Sequence, residues 1–414
     1  MKIFIKLILL FAICSVNLRA ASDIKLLRTN ASTFAKTYTD YDMYYALENV
    51  AGTVVTYTNL LYQLDNGTIY SHDFTFSIPS KGSIIARHSQ ALKISTSGYH
   101  TLKVWIEALG DTNRKNDTIS LQIYAGSLFS PKVSLFENFT ATWCPNCPNS
   151  TVNCELMDEK SNIAVAAFHN NDQMSFPAGE NYFKKYYKGT IFSPGGVKNK
   201  GEMDIYEVNA YSTSWHTHFD DPFNEASYAS LYMTKTIDPV TRELKATLFT
   251  QFDYAISGDY SFNAYVVEDS LIYTQTNSFD NVHNNVVIHM MGGENGISGI
   301  VPATPLPGVE YKNTFTYVLP SKVNLKRVRV VGMLISTKNG KKAAINAVKE
   351  KKSFGSTSSI NSASNEDQFE VIHNGFENDV TIKFLKNDSY KISIISNTGS
   401  LITSNSYDSN INSE

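Results

Sequence analysis

Three hydrophobic patterns succeed one another along the chain. From residue 22 to about 127, short runs rich in Val, Ile, Tyr and Thr lie between turn residues, as at 52–62, 73–78 and 99–109. In the last of these, Val104, Ile106 and Ala108 fall on one face, the period-2 signature of a strand with one side in a core. Asp65-Asn66-Gly67 predicts a hairpin turn. Short strands with frequent turns predict a β-sandwich, Ig-like, over 22–127. The Asp- and Asn-rich stretch 111–117 lacks the alternating ligands and glycine of a calcium loop and reads as a polar turn.

The pattern changes near Lys132. Residues 133–139 and 163–168 read as strands, separated by a helical stretch at 149–160. An amphipathic stretch at 182–187 follows, and Trp215, Phe219 and Phe223 recur at four-residue spacing, as on the core face of a short helix. Strand–helix–strand alternation predicts an α/β unit with parallel pairing over 128–225. From about 226 the strand pattern returns at 244–252, 260–267, 314–319 and 328–335, which predicts a second β-sandwich over 226–352. A Ser- and Asn-rich linker (353–368) leads to a small β segment (369–414) with strands at 380–384 and 390–395. The expected architecture is multidomain α+β: an N-terminal β-sandwich, a central α/β domain, a second β-sandwich and a small C-terminal β domain.

Composition sharpens this picture. Of 414 residues 42% are hydrophobic and only 18% charged, so the bulk of the chain packs rather than staying disordered. Lys plus Arg (36) nearly balances Asp plus Glu (39), which points away from nucleic acid and anionic membranes as partners. Lys2 and Lys6 precede an apolar run at 7–16, with Leu18-Arg19-Ala20 as a cleavage site, so residues 1–21 read as a signal peptide cleaved near Ala20. That run is short of the roughly 20 apolar residues a transmembrane helix needs, and no later segment approaches that length. The expectation is an exported protein.

Beyond the signal peptide, Cys144, Cys147 and Cys154 lie within one short stretch, which argues for local chemistry rather than a disulfide scaffold. Cys144-Pro145-Asn146-Cys147 has three readings: a redox pair, half of a zinc site, or a structural disulfide. No second Cys-x-x-Cys or close Cys/His pair completes a zinc site, and no metal or cofactor is expected. A strand ends at Phe139, and Pro148, lacking an N–H, fits a first helical turn. Cys144 is therefore expected at a helix N-terminus, where free N–H groups favour a thiolate, as attacking sulfur with Cys147 as resolving thiol. Cys154, two helical turns on, is about 10 Å away in rise, too far to pair with Cys147. His169, at the end of the second strand, reads as a turn histidine, with an approach to the cysteines as the alternative.

Asn138-Phe139-Thr140-Ala141-Thr142-Trp143-Cys144-Pro145-Asn146-Cys147-Pro148 resembles the active-site segment of secreted thioredoxin-like proteins. The stretch 192–199, with Ser193-Pro194-Gly195-Gly196, resembles the loop where thioredoxins place a cis-proline beside the motif; an ordinary Ser-Pro-Gly turn is the alternative. The resemblance implies a thioredoxin-like fold for the central α/β domain. It also implies that Trp143, Pro145, Asn146, Ser193 and Pro194 meet the substrate, and that Cys144 and Cys147 form the disulfide. Thioredoxins usually carry a buried Asp six residues before the first cysteine; here that position is Asn138, which cannot take a proton. Over about 40–350, with Val282-His283-Asn284 as a second marker, the chain is similar to the outer-membrane-protein-28-related family. The tail resembles the C-terminal sorting domain of type IX secretion, without its Pro-Asn-Pro opening or closing Gly-x-Tyr strand.

These resemblances imply a secreted, cell-surface or outer-membrane protein. Its partners would be protein thiols and disulfides or surface proteins, with the secretion machinery engaging the tail. Two functions stay open: a thiol–disulfide oxidoreductase or thiol-binding module, or a non-catalytic surface-binding protein with a structural Cys144–Cys147 bridge.

Overall fold

The computed structural model describes residues 22–186, 193–200, 225–338 and 341–350, and four further strands between 369 and 407. The expected signal peptide, Phe192 and the expected helix around Trp215, with His216 and His218, lie outside the described residues. The chain divides into two compact units, Met1–Lys352 and Ser353–Glu414. In the second, Phe369–His373 pairs with Val380–Phe384 and Tyr390–Ile395 with Leu401–Tyr407, each antiparallel.

In the first unit, a three-stranded and a five-stranded sheet enclose a core that includes Ile24, Tyr45, Leu60, Leu102 and Val104. Along Gly98–Glu107 burial alternates, as a strand with one face in a core requires. The strands Val55–Leu64 and Ile69–Ile78 meet at Asp65-Asn66-Gly67, where Asp65 takes a positive φ and Gly67 N donates to Leu64 O.

The site sits on a central sheet whose elements are β1 (Ser134–Thr140), α1 (Cys147–Glu159), β2 (Ile163–His169), α2 (Pro177–Tyr186), β3 (Gly195–Lys198), β4 (Asp259–Glu268), β5 (Val286–Met290), β6 (Ile297–Ser298), β7 (Val328–Lys338) and β8 (Lys341–Lys349). The sheet order is β3-β1-β2-β5-β4-β7-β8, with β6 beside β4. β1, β2 and β5 run parallel; the other pairings are antiparallel. Every residue of β1 and β2 is buried, as befits strands covered on both faces. The sheet also curls until its ends meet: Ala347 N donates to Val133 O (2.9 Å) and Ala344 N to Asn199 O (2.8 Å). A three-stranded sheet (Tyr232–Ile237, Glu243–Gln251, Glu310–Val318) shares a further core with it, including Leu244, Leu248, Phe262, Val330 and Leu334.

This corrects the expected multidomain α+β organisation. The described residues are mostly β, with 52% strand, 9% helix and two α-helices, and there is no central thioredoxin-like α/β domain. The strand–helix–strand segment exists, but β2 pairs directly with β5, Ala167 opposite Val286, so its sheet runs on into the later strands. Asp158, near the end of α1, meets Lys349 of β8 (3.2 Å) and Arg329 of β7 (3.5 Å), and Arg329 also binds Asp269 (2.5 Å). These charges are largely buried, so the helix is tied to the later strands by groups that cannot be separated cheaply.

Candidate functional site

After β1 the chain turns, with Cys144 N donating to Ala141 O and Cys147 N to Cys144 O, each 3.3 Å. α1 begins at Cys147, two residues before the expected 149, with Pro148 in its first turn. The helix N-terminus therefore falls on Cys147, and Cys144 lies in the turn ahead of it. The two are joined by a disulfide, with Cα atoms 5.4 Å apart. Both cysteines are buried, Cys144 2% and Cys147 0% exposed, and pack with Ala141. Cys154 is also buried and takes no part in the bridge.

What the motif shows to solvent is Pro145 and Trp143, the latter 46% exposed with its indole N–H donating to Asn170 O (2.9 Å). Asn146 is half-buried and occupies the N-cap position without a side-chain capping bond. On the opposite side, Cys144 Sγ lies 3.2 Å from the carbonyl oxygen of Ser193, whose peptide bond to buried Pro194 is cis. β3 follows at once and pairs with β1, which brings the two segments together. A Cβ on Gly196 would run into the Phe136 ring, so this register needs glycine there. The structure thus gathers Trp143, Cys144, Pro145, Asn146, Cys147, Ser193 and Pro194 around one disulfide.

Two features beside it were not placed there by the sequence, which marked Val282-His283-Asn284 without linking it to the cysteines. Between β4 and β5, a small hairpin (Leu271–Ile272 against Val282–His283) folds over the motif. Buried Gln275 directs its side-chain amide to Cys144 O (3.0 Å) and Ala141 O (3.4 Å), and Thr276 N donates to Thr142 O (2.9 Å). The second feature is Asp172, whose carboxylate lies 2.7 Å from His169 Nδ1 and accepts from the amides of Thr142 and Met174, each 2.9 Å. Burial raises the Asp172 carboxyl, but the His169 hydrogen bond and these amides outweigh it and hold the group below its usual range. His169 is buried rather than exposed on a turn, with its ring edge-on to His283, which burial keeps easier to deprotonate than usual.

The faces of β1 sort the remaining polar groups. Asn138, 2% exposed, lines a small pocket with Thr140, Cys154, Glu155, His169 and His283. Glu137 is wholly buried on the α2 side, where Tyr182 OH (2.9 Å), Tyr265 OH (2.7 Å) and Lys200 Nζ (3.2 Å) approach one carboxylate oxygen. Among the described residues, no group of three or more His, Cys, Asp or Glu is placed to hold a metal, and no helix is long and apolar enough to cross a membrane.

No protein-family model matches this chain, and no curated protein does. Among solved structures, HBP35 of Porphyromonas gingivalis is similar at 16% identity over 66% of this chain and 90% of that one, with a TM-score of 0.46. Protein AGR_C_4864 from Agrobacterium tumefaciens is similar at 12% identity over 53% and 95%, with a TM-score of 0.36. The CARDB domain of PF1109 from Pyrococcus furiosus, solved in complex with di-metal ions, is similar at 14% identity over 26% and 94%, with a TM-score of 0.22. Likenesses at this distance fix neither fold nor function.

Proposed function

We propose that this chain is an exported protein of the cell surface or outer membrane, or secreted, whose Cys144–Cys147 pair exchanges disulfides with protein thiols. The observation that carries the reading is the placement of the bridge. It lies at the first residue of α1, and Cys144 Sγ sits against Ser193 O beside Pro194. Starting from the oxidised pair, a partner thiolate attacks Cys144 Sγ, and the electron pair of the Cys144–Cys147 bond leaves on Cys147, which takes up a proton. A second partner thiolate attacks the partner sulfur of the mixed disulfide, and that bond's electron pair leaves on Cys144. The partner dithiol is oxidised by two electrons and the pair in the chain is reduced; the reverse sequence reduces a partner disulfide. Trp143, Pro145, Asn146, Ser193 and Pro194 form the surface such a partner meets. Export through residues 1–21, use of 369–414 as a sorting segment and kinship with the outer-membrane-protein-28-related family belong to the same reading.

The near-complete burial of both cysteines favours a second reading, a non-catalytic surface-binding protein with a structural bridge. Trapping separates the two. With an oxidised partner polypeptide, Cys147→Ser should accumulate a mixed disulfide through Cys144, Cys144→Ser should not, and the wild type should reduce insulin in the presence of a dithiol. Absence of adduct in Cys147→Ser together with no insulin reduction rejects exchange and leaves the binding protein.

A further inference from the structure

We infer that the hairpin between β4 and β5 is a clasp on the redox motif, and that Gln275 is the positioning residue that keeps Cys144 covered. It rests on the exchange reading and names how that site is controlled. Ala141 O and Cys144 O each accept one 3.3 Å bond from the turn itself, and the hairpin adds donors to three carbonyls of 141–144: the Gln275 side chain to Ala141 O and Cys144 O, and Thr276 N to Thr142 O.

The hairpin is stiff enough to do this. Gln275 N donates to Asn281 Oδ1 (3.0 Å) and Tyr273 N to Asn281 O (3.0 Å), while His283 Nε2 lies 2.9 Å from Tyr273 O. Its base is fastened too: Ser270 N donates to Asn284 Oδ1 (3.0 Å), and Asp269 accepts from Asn285 N (2.8 Å) and from Arg329. A primary amide is suited to the task because one –NH2 carries two donors and reaches two carbonyls together. Attack on Cys144 needs a path to a residue that is only 2% exposed, so the turn must part from the clasp first. The clasp thus sets how often the disulfide is available, and by linkage the redox state of the pair sets how tightly the clasp holds.

The test measures the rate at which a small dithiol reduces the bridge in the folded full-length protein. Gln275→Ala removes both donors, and Gln275→Glu keeps the shape but offers only oxygens to the two carbonyls. Each should speed reduction roughly 5- to 10-fold, the scale of one net hydrogen bond, with circular dichroism unchanged. Rates within about twofold of wild type for both folded variants would overturn the inference, because one lost net hydrogen bond should exceed that. If either variant fails to fold, hydrogen exchange in the wild type decides. Reducing the pair should accelerate exchange across 271–283, and equal protection in both redox states overturns the clasp. The dithiol reads the clasp whether or not a protein partner exchanges, so failed trapping of a partner and failed coupling to Gln275 are separate results.

Discussion

Asp172 does at single-residue scale what the site does as a whole: it binds distant segments through one group. Its carboxylate joins the end of β2, through His169, to the turn before Cys144, through Thr142 N. Because its pKa is depressed in the fold, its contribution is full above the unfolded value near 3.9 and is lost as pH falls below that. His283 acts in a higher window. Burial lowers its pKa, so the unfolded chain takes up the proton first and stability begins to fall below about pH 6.5. Thermal melts from pH 7 to pH 3 should therefore lose stability first below about pH 6.5, where His88 and His289, also lowered by burial, act in the same sense as His283, and again below about pH 3.9. Asp172→Asn should cost about 1–3 kcal/mol at pH 7, a difference that shrinks below pH 4. A deficit independent of pH would contradict the assignment. The cysteine pair was legible because a turn and a helix start lie within a few residues. Gln275 and Asp172 were not, since the partners of one are over 130 residues away and an Asp in a polar loop looks like any other.

At the scale of the element, β1 shows why a strand can be read and its surroundings cannot. Its apolar residues announced a strand, strand alternation sets Glu137 and Asn138 on opposite faces, and the thioredoxin resemblance put Asn138 at a buried position, but nothing near Glu137 in the sequence told that it would be buried as well. Glu137 is accommodated because α2, β4 and the turn after β3 bring Tyr182, Tyr265 and Lys200 to it. Lys200→Met should leave a buried carboxylate without its cation and cost about 3–5 kcal/mol, whereas Glu137→Leu with Lys200→Met should recover most of that loss. Chemical denaturation of the two single variants and the double variant measures the coupling. A double variant no more stable than Lys200→Met would show that the pair is not the reason both residues are tolerated. Helix α1 was also legible in outline, but its start moved to Cys147 because Pro148 is accepted in the first turn.

At the scale of the whole molecule, the sequence pattern suggested a chain of separable bodies, and one sheet joins the two middle ones, 128–225 and 226–352. Alternation of strand and helix reports which elements are adjacent in sequence; it carries no information about which strand comes next in the sheet. Here β2 is followed by β5, more than 110 residues later, and β8 closes back onto the segment before β1. Cores cannot be cut along the expected boundaries either, for one cluster holds Leu135, Phe168, Val287, Val331 and Ala347 together. A polypeptide of residues 128–225 alone would leave those faces of β1 and β2 in water, at about 25 cal/mol for each Å² of apolar surface exposed. It should therefore show no cooperative thermal transition and rapid amide exchange, whereas residues 22–352 should melt cooperatively and protect β1 and β2. A sharp melt from the short piece, with protected amides at 134–140, would mean that the segment carries a self-sufficient core and that the joined sheet is secondary to it.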